Sequence, residues 1–400
     1  MDPDQDQGQD QNPPWQWRQQ DQNPPAITSY RDLLKISSVL RWYRNLARGS
    51  PATADLYLKR LAKFCRDTDI DPEMLLDMED SRLRDVLMDY ITSLEDKSGS
   101  YAISFVKVLK SWFRFHNRPF NVHIRIKDVH RTRVSETERV PSKKELRKVL
   151  WKADLRVRAA IALIAFAGVR LGVLGDYRGE DGLRIGDVPE LRIGDRVEFI
   201  NTPAMVVVRS SLSKAGHQYF TFLCEEGCEY LQDYLSMRLR KGEKLTPSSP
   251  LISGRAGTSF LRTASISNAV RKAIRIAGFD WRPYVLRHYF DTYMLMAEAA
   301  GIIPEDYRVF WMGHKGDIEH QYTTNKNRLP ESLVEDMRLK YERAAMFFLQ
   351  TRTAEGGDEG VEPKQKAVRP EEIDSYLEAG WVYVATLPDG RVIVGKGNSP

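Results

Sequence analysis

Residues 311–326 read WMGHKGDIEHQYTTNK, and residues 284–290 read YVLRHYF. The first stretch sets a Gly-His pair, Gly313-His314, eight residues before Tyr322 in a polar run. The second puts Arg287 among apolar neighbours at a helix start. Two more stretches belong with these. Residues 167–171 read AGVRL, so Arg170 leaves an apolar helix. Residues 213–220 read SKAGHQYF, with Lys214 in a β-turn, Ser213-Lys214-Ala215-Gly216. Singly, each residue has an ordinary structural explanation: a salt bridge for either arginine, an exposed turn for Lys214, a packing or surface role for His314 and Tyr322. Jointly they suit one chemistry. A buried guanidinium is costly unless paired, and its rigid fork matches phosphate oxygens bidentately. Two such forks would hold a phosphodiester and stabilise charge added in its transition state.

Around these stretches the chain reads as several parts. Residues 1–25 are Asp/Gln/Asn/Pro-rich and too poor in apolar surface to offset ordering entropy, which predicts disorder; Trp15 and Trp17 are incidental there. Residues 27–116 carry apolar residues at helical spacing, with Ser50-Pro51 as an N-cap and N1 pair and Ser98-Gly99-Ser100 as a break. Residues 117–141 form a basic linker. Ser142-Lys143-Lys144-Glu145 is a capping box. Residues 155–167 are apolar enough for a buried helix ending near Gly168. Residues 183–223 are β-rich, in runs at Val197–Ile200, Met205–Arg209 and Gln218–Leu223. Residues 225–242, 263–278, 287–300 and 331–350 are helical. A polar linker, 351–368, leads to a helix and hairpin at 369–397, with Pro388-Asp389-Gly390 as the turn. That unit is too small for its own core and must dock on something.

Charge divides along the same lines. The 400 residues carry a net +5. Residues 1–25 hold one basic and five acidic residues, and residues 350–400 hold six and nine. Residues 26–349 therefore hold 53 basic and 41 acidic residues, a net +12. A basic body between acidic ends suits a polyanion partner or simply a well-solvated surface. In the linker, Arg118, Arg125, Lys127, Arg131 and Arg133 face one acid, Asp128, and are candidates for a phosphate backbone, as is His288. Three cysteines, Cys65, Cys224 and Cys228, point to a reducing compartment without structural disulfides, and to a cytoplasmic location. The spacing of Cys224 and Cys228, without a second pair, does not suit a zinc site and fits one helix face better. No apolar run is long enough for a transmembrane helix, so no membrane partner is expected, and the acidic N-terminus is no secretory signal. The composition excludes a collagen-like, fully disordered or disulfide-scaffold chain.

Taken in order, the four stretches make residues 142–349 resemble the catalytic domain of the tyrosine recombinases, the phage-integrase family. The family implies an ordered Arg, hairpin Lys, His-x-x-Arg, Gly-His and Tyr. Here these are Arg170, Lys214, Tyr284-x-x-Arg287, Gly313-His314 and Tyr322. Leu286-Arg287-His288 and the short His-to-Tyr spacing are the most specific pieces, and the run Leu183–Val188 is similar to the stretch that comes after the first family motif. Residues 27–116 resemble, more weakly, the family's core-binding domain. The resemblance implies a mainly α fold with a small antiparallel β-sheet (α+β), in which a helical core-binding domain and an integrase-type catalytic domain (142–350) clamp DNA. Three departures stand out. Tyr284 replaces the family's His, whose role passes to the phenol or to Lys214. Val173 replaces the acid expected three positions after Arg170. Residues Tyr177–Gly182 are an insertion.

The resemblance further implies site-specific recombination or integration. Tyr322 would attack a DNA phosphodiester to give a 3′-phosphotyrosine, helped by the cationic pocket of Arg170, Arg287 and His314. Lys214 would be the general acid for the leaving 5′-oxygen. No metal, ATP or other cofactor is implied. The partners implied are double-stranded DNA, further copies in a homotetramer on two DNA sites, with the 331–350 helix packing in trans, and accessory DNA-bending proteins. Tyr341 is the runner-up nucleophile, although packing suits it better. Of the two other histidines, His217 reads as an exposed turn residue, and His320 has no metal-site partners. Three other readings remain open: a type IB topoisomerase-like enzyme, a resolvase of hairpin ends, and a DNA-binding protein of the same fold that has lost activity.

Overall fold

The computed structural model describes residues 29–129, 138–254, 257, 259–351, 365–378, 381–386 and 392–396. The 1–25 tail, Arg131, Arg133 and the turn at 388–390 lie outside the described residues. The chain divides into two units, 1–133 and 134–400.

The first unit is helical. After a 3-10 turn at Tyr30–Lys35 come α1 (Ser37–Gly49), α2 (Pro51–Thr68), α3 (Met74–Asp77), α4 (Asp80–Thr92) and α5 (Gly99–Phe115). Helix α2 starts at the pair read from the sequence: Ser50 Oγ accepts from the Thr53 amide at 3.2 Å, and Pro51 opens the helix. Two fully buried tryptophans organise the core. Trp42 and Trp112 meet edge to face at 5.4 Å. Their indole N–H groups donate to Ser111 Oγ and to the Pro72 carbonyl. The chain beyond α5 runs over this core. Val122 is buried, while Ile124 and Ile126 pack against the cluster. Period-2 alternation then turns His123, Arg125 and Lys127 outward, and all three are exposed. A Cβ at Gly99 would overlap the backbone carbonyls of Lys127 and Asp128, so this return path needs glycine at the start of α5.

The second unit is built on one helix. Helix α6 (Lys143–Lys152) begins with the capping box: Ser142 Oγ accepts from the Glu145 amide, and the Glu145 carboxylate from the Ser142 amide. Helix α7 (Leu155–Ala167) carries Arg156 and Arg158 near its start, is apolar all round from Ala159 onward, and is buried at ten positions, as a helix covered on all sides must be. Gly168, at φ +66°, ends it in the left-handed region. A short α8 (Leu171–Leu174) comes next. The strands then pair in two antiparallel hairpins, β1 (Leu191–Ile193) with β2 (Val197–Phe199), and β3 (Ala204–Val208) with β4 (Tyr219–Leu223). Ala204 lies opposite Leu223, and Val208 opposite Tyr219. Helices α9 (Glu225–Arg240), α10 (Thr263–Ile276) and α11 (Val285–Ala299) surround α7. Helices α12 (Glu305–Trp311), α13 (Asp317–Thr324) and α14 (Glu331–Ala344) close the unit, and a π turn at Ala345–Leu349 extends α14. The fold class is the one read from the sequence: mainly α, with small antiparallel sheets. No helix among the described residues is long and apolar enough to cross a membrane.

The closing segment is held by its own chain. Tyr341 is fully buried and its hydroxyl donates to the Phe166 carbonyl at 2.6 Å. Arg338 bridges to Glu190 at 2.5 Å and donates to the Pro203 carbonyl. The buried Glu226 carboxylate accepts from the Thr351 amide and hydroxyl, both at 2.6 Å. Tyr289 and Lys143 donate to the carbonyls of Leu349 and Phe347. Within the chain, α14 thus sets Tyr341 against Phe166 of α7 and Phe222 of β4. Farther on, β5 (Gln365–Val368), inside the stretch read as linker, joins β6 (Trp381–Thr386) and β7 (Val392–Lys396) in the order β5-β7-β6, beside α15 (Ile373–Glu378). This piece has a small cluster of its own, Val368, Val392 and Val394 against Ile373, Tyr376 and Trp381.

The anchoring role of Tyr341 makes its two truncations distinct. Tyr341→Phe should cost about 1 kcal/mol, the net worth of one hydrogen bond. Tyr341→Ala should cost about 3–5 kcal/mol through the cavity it leaves. Equilibrium urea unfolding of the two variants checks this, and equal losses would contradict it.

Candidate active site

The site begins where α7 stops. Gly168 turns the chain so that Val169 stays buried and Arg170 emerges, half-buried, as the N-cap of α8. A Cβ at Gly168 would overlap the ring of Phe290 on α11, so only glycine allows this approach. In the first turn of α11, Arg287 is 2% exposed. One Nη of Arg287 donates to the Gly168 carbonyl, and the other to the Met312 carbonyl at 2.6 Å. Arg287 thus ties the stretch carrying Arg170 to the one carrying Gly313-His314. Among the described residues it has no carboxylate partner, and its Nε and the Nη1 of Arg170 are buried without a hydrogen-bond partner. Burial, then the Arg170 charge, pushes the Arg287 titration down. Two neighbouring cations with unmet N–H groups make a site whose chemistry lacks an anion.

His314 completes this cluster. Gly313, at φ +59°, makes the turn after α12, and His314 is exposed beyond it. Desolvation, then the charges of Arg287 and Arg170, lowers the His314 titration, so the imidazole is held neutral. Tyr284, 49% exposed, stands at the N-terminus of α11 with its ring edge-on to His288 at 4.7 Å, and its field reaches Arg287. The structure therefore brings together Arg170, Arg287, His314 and Tyr284.

Among the described residues, neither Lys214 nor Tyr322 makes a hydrogen bond to that group. Lys214 is exposed in the expected turn, closed by the Gly216 amide on the Ser213 carbonyl at 3.0 Å. The base of its loop is clamped by the insertion. Arg209 makes a bidentate pair with Asp181, at 3.0 and 2.9 Å, and its Nε donates to Asp187. Ser211 Oγ adds a contact to Asp181 at 3.3 Å. Burial works to raise the Asp181 titration, but Arg209 prevails and holds it at about 2. Residues 177–182 thus act as a brace for the lysine loop.

Tyr322 lies on α13, 5% exposed, with Phe220 and Phe310 edge-on to its ring at 5.7 and 5.6 Å. Its hydroxyl accepts from Gln218 Nε2 at 3.0 Å. Burial raises its titration and Gln218 alone opposes this. The cationic help expected from Arg170, Arg287 and His314 does not reach the phenol here, because an aromatic pocket surrounds it instead. His217 is likewise not an exposed turn residue. It is 7% exposed, with Nδ1 3.7 Å from the Glu319 carboxylate on α13.

The candidate phosphate contacts separate in the same way. Arg118 is engaged within its unit, on the carbonyls of Leu75 and Met78 and over the Phe113 ring at 4.5 Å. Arg125, Lys127 and His288 are exposed. Sequence reasoning missed Gln218, Tyr219 and Asp181, although the first two sit inside the stretch that carries Lys214. The three cysteines are free and buried, and no three His, Cys, Asp or Glu among the described residues are grouped to hold a metal ion.

No family model matches the chain, and no curated protein matches it. Solved structures do. One is a lambda integrase(75–356) dimer bound to a COC′ core site: 17% identity, 82% of this chain and 99% of that one, TM-score 0.45. Another is the XerH site-specific recombinase bound to difH substrate in a pre-cleavage complex: 16% identity, 80% and 84% covered, TM-score 0.47. A third is the integrase from mycobacterium phage Brujita: 18% identity, 80% and 95% covered, TM-score 0.35. By fold, the chain is similar to site-specific recombinases and integrases. Identity and superposition are both low, and the functional reading stands on the side chains.

The site generates two expected outcomes. Asp181 titrates below its ordinary value of about 3.9, so its contribution to stability is complete above that value and is lost as pH falls through about 2. Asp181→Asn should therefore flatten the acid limb of a stability–pH curve between those values. An unchanged limb would contradict the brace. Gln218→Leu should raise the pH at which Tyr322 ionises, read by tyrosine ring-carbon NMR with Tyr322→Phe for assignment, and a fall would contradict the Gln218 contact.

Proposed function

We propose that this chain is a tyrosine site-specific recombinase, a DNA strand transferase that cuts and rejoins through a 3′-phosphotyrosine. The observation that carries the reading is the buried Arg287 beside Arg170 and His314, two guanidiniums with unmet N–H groups and no counter-carboxylate among the described residues. A phosphodiester supplies the missing anion, and its extra charge at the trigonal-bipyramidal transition state is what two forks stabilise best.

In the reaction, Tyr322 Oη gives up its proton to water and attacks phosphorus, the bond from phosphorus to the 5′-oxygen breaks, and that oxygen departs as a hydroxyl. Lys214, on its braced loop, gives that oxygen its proton. Neutral His314 hydrogen-bonds the phosphate, and the Tyr284 phenol takes the place beside Arg287. The phosphotyrosine keeps the ester's energy, so a second 5′-hydroxyl can displace Tyr322 without ATP. For attack, Tyr322 must exchange Gln218 and the Phe220–Phe310 pocket for the cationic cluster, which requires α13 to move relative to β4. Partners under this reading are double-stranded DNA, three further copies on two DNA sites, and accessory DNA-bending proteins, in the cytoplasm. Arg125, Lys127 and His288 are the described side chains offered to the phosphate backbone.

One observation favours a second reading, a DNA-binding protein that has lost activity: Tyr322 is buried away from the arginines. A single experiment separates the two. Wild type and Tyr322→Phe are incubated with nicked source DNA in EDTA, and denaturant-resistant adducts are sought. Adducts with wild type alone are expected. Their absence despite DNA binding would favour the second reading, and adducts in both would place the nucleophile elsewhere. Arg170→Ala and Arg287→Ala should each slow adduct formation about 100-fold or more, and rates within a few-fold of wild type would contradict the anion site.

A further inference from the structure

Strand β4 opens with Tyr219, five residues after Lys214, paired to Val208 and with no exposed surface. Its ring is wedged against the turn that carries His314, since a Cβ at Gly313 would overlap it. Its hydroxyl lies beside both guanidiniums: Arg287 and Arg170 each favour its ionised form, against a larger effect of burial that keeps it neutral. Yet the hydroxyl has no aligned hydrogen bond, and neither do Arg170 Nη1 and Arg287 Nε. Three polar groups from three parts of the chain therefore meet in one buried place, close enough to interact but without a well-aligned bond.

Packing explains the ring but not the oxygen. Phenylalanine would fill the same space without burying a poorly satisfied O–H, which is destabilising. A neutral phenol between two cations has a different use. Its oxygen carries two lone pairs, one for an N–H of each arginine, and its own proton remains free. That oxygen can hold two mutually repelling forks at a fixed angle, while the ring sets the height of the Gly313-His314 turn.

We propose that Tyr219 is a positioning residue of the anion site, its hydroxyl aligning Arg170 and Arg287 on a bound phosphate. The proposal rests on the strand-transfer reading for its meaning, but it also stands as a statement about anion binding. The site gains its hydrogen bonds when the anion arrives, and the free protein carries the hydroxyl as a standing cost.

The test is Tyr219→Phe in the full chain, with three readouts. Without ligand, the variant should melt at the wild-type temperature or above it, because a poorly satisfied hydroxyl has gone. DNA affinity should fall far less than covalent adduct formation, which falls about 10- to 100-fold, the size of one lost transition-state contact. With inorganic phosphate as probe, wild type should gain thermal stability at lower phosphate concentration than the variant does. In an Arg170→Lys background, Tyr219→Phe should have little further effect on that phosphate response, since the two act as one unit. Wild-type rates in Tyr219→Phe, a melting temperature that falls with the activity, or an undiminished effect in the Arg170→Lys background would each overturn the proposal. If wild type forms no adduct at all, the strand-transfer reading has failed while the phosphate arm still decides this one: a response weakened in Tyr219→Phe supports it, and equal or absent responses in both proteins overturn it.

Discussion

Arg287 is one guanidinium answering two main-chain carbonyls, those of Gly168 and Met312. Those carbonyls belong to the end of α7 and the end of α12, so one buried cation fixes two helix termini against a third helix. A buried charge is tolerated only where hydrogen bonds replace the water it has lost. Here backbone oxygens do so without neutralising it. The positive charge is retained, and Arg170 is placed beside it. Glycine at 168 and 313 is a consequence of the same crowding, because one meets the Phe290 ring and the other the Tyr219 ring.

The nucleophile candidate sits in the opposite kind of environment. Phe220 and Phe310 give Tyr322 an apolar sleeve that keeps its proton on, and Gln218 is the one polar group on its oxygen. Separating the phenol from the cations means that ionisation and phosphate binding are not both available in the free chain. The two halves of the chemistry share β4 and its approach: Gln218 touches one half, and its neighbour Tyr219 touches the other.

Much of this could be read locally. Ser50-Pro51, the Ser142–Glu145 box and the largely apolar 155–167 run each announce an element within a few residues, and the structure has a helix boundary or a buried helix at each. The arginines, Lys214 and Gly313-His314 were legible because their types and order are unusual together. What stayed hidden depends on distance along the chain. Gln218 meets Tyr322 across 104 residues, and Arg209 meets Asp181 across 28, so no window of sequence contains either contact. Helix α13 was missed because its buried apolar face is only Ile318 and Tyr322. Strand β5 was missed because four residues with a distant partner carry too little pattern. His217 looked like part of a polar turn, but it is buried, beside Glu319 on a helix that the sequence did not reveal.

The Glu226–Thr351 contact has a practical meaning for where this polypeptide can be cut. Helix α14 ends at Ala344, but among the described residues the Thr351 side chain still grips the body seven residues later, through a carboxylate buried at the start of α9. A truncation chosen from helix boundaries would remove that grip, together with the Leu349 and Phe347 carbonyls that Tyr289 and Lys143 hold. It would strip the buried Glu226 carboxylate of the two Thr351 donors while the Tyr230 hydroxyl stays on it. A truncation just after Thr351 keeps every one of these bonds. Any shortened version of the second unit must therefore be planned around a hydrogen-bonded latch rather than around the end of helix α14.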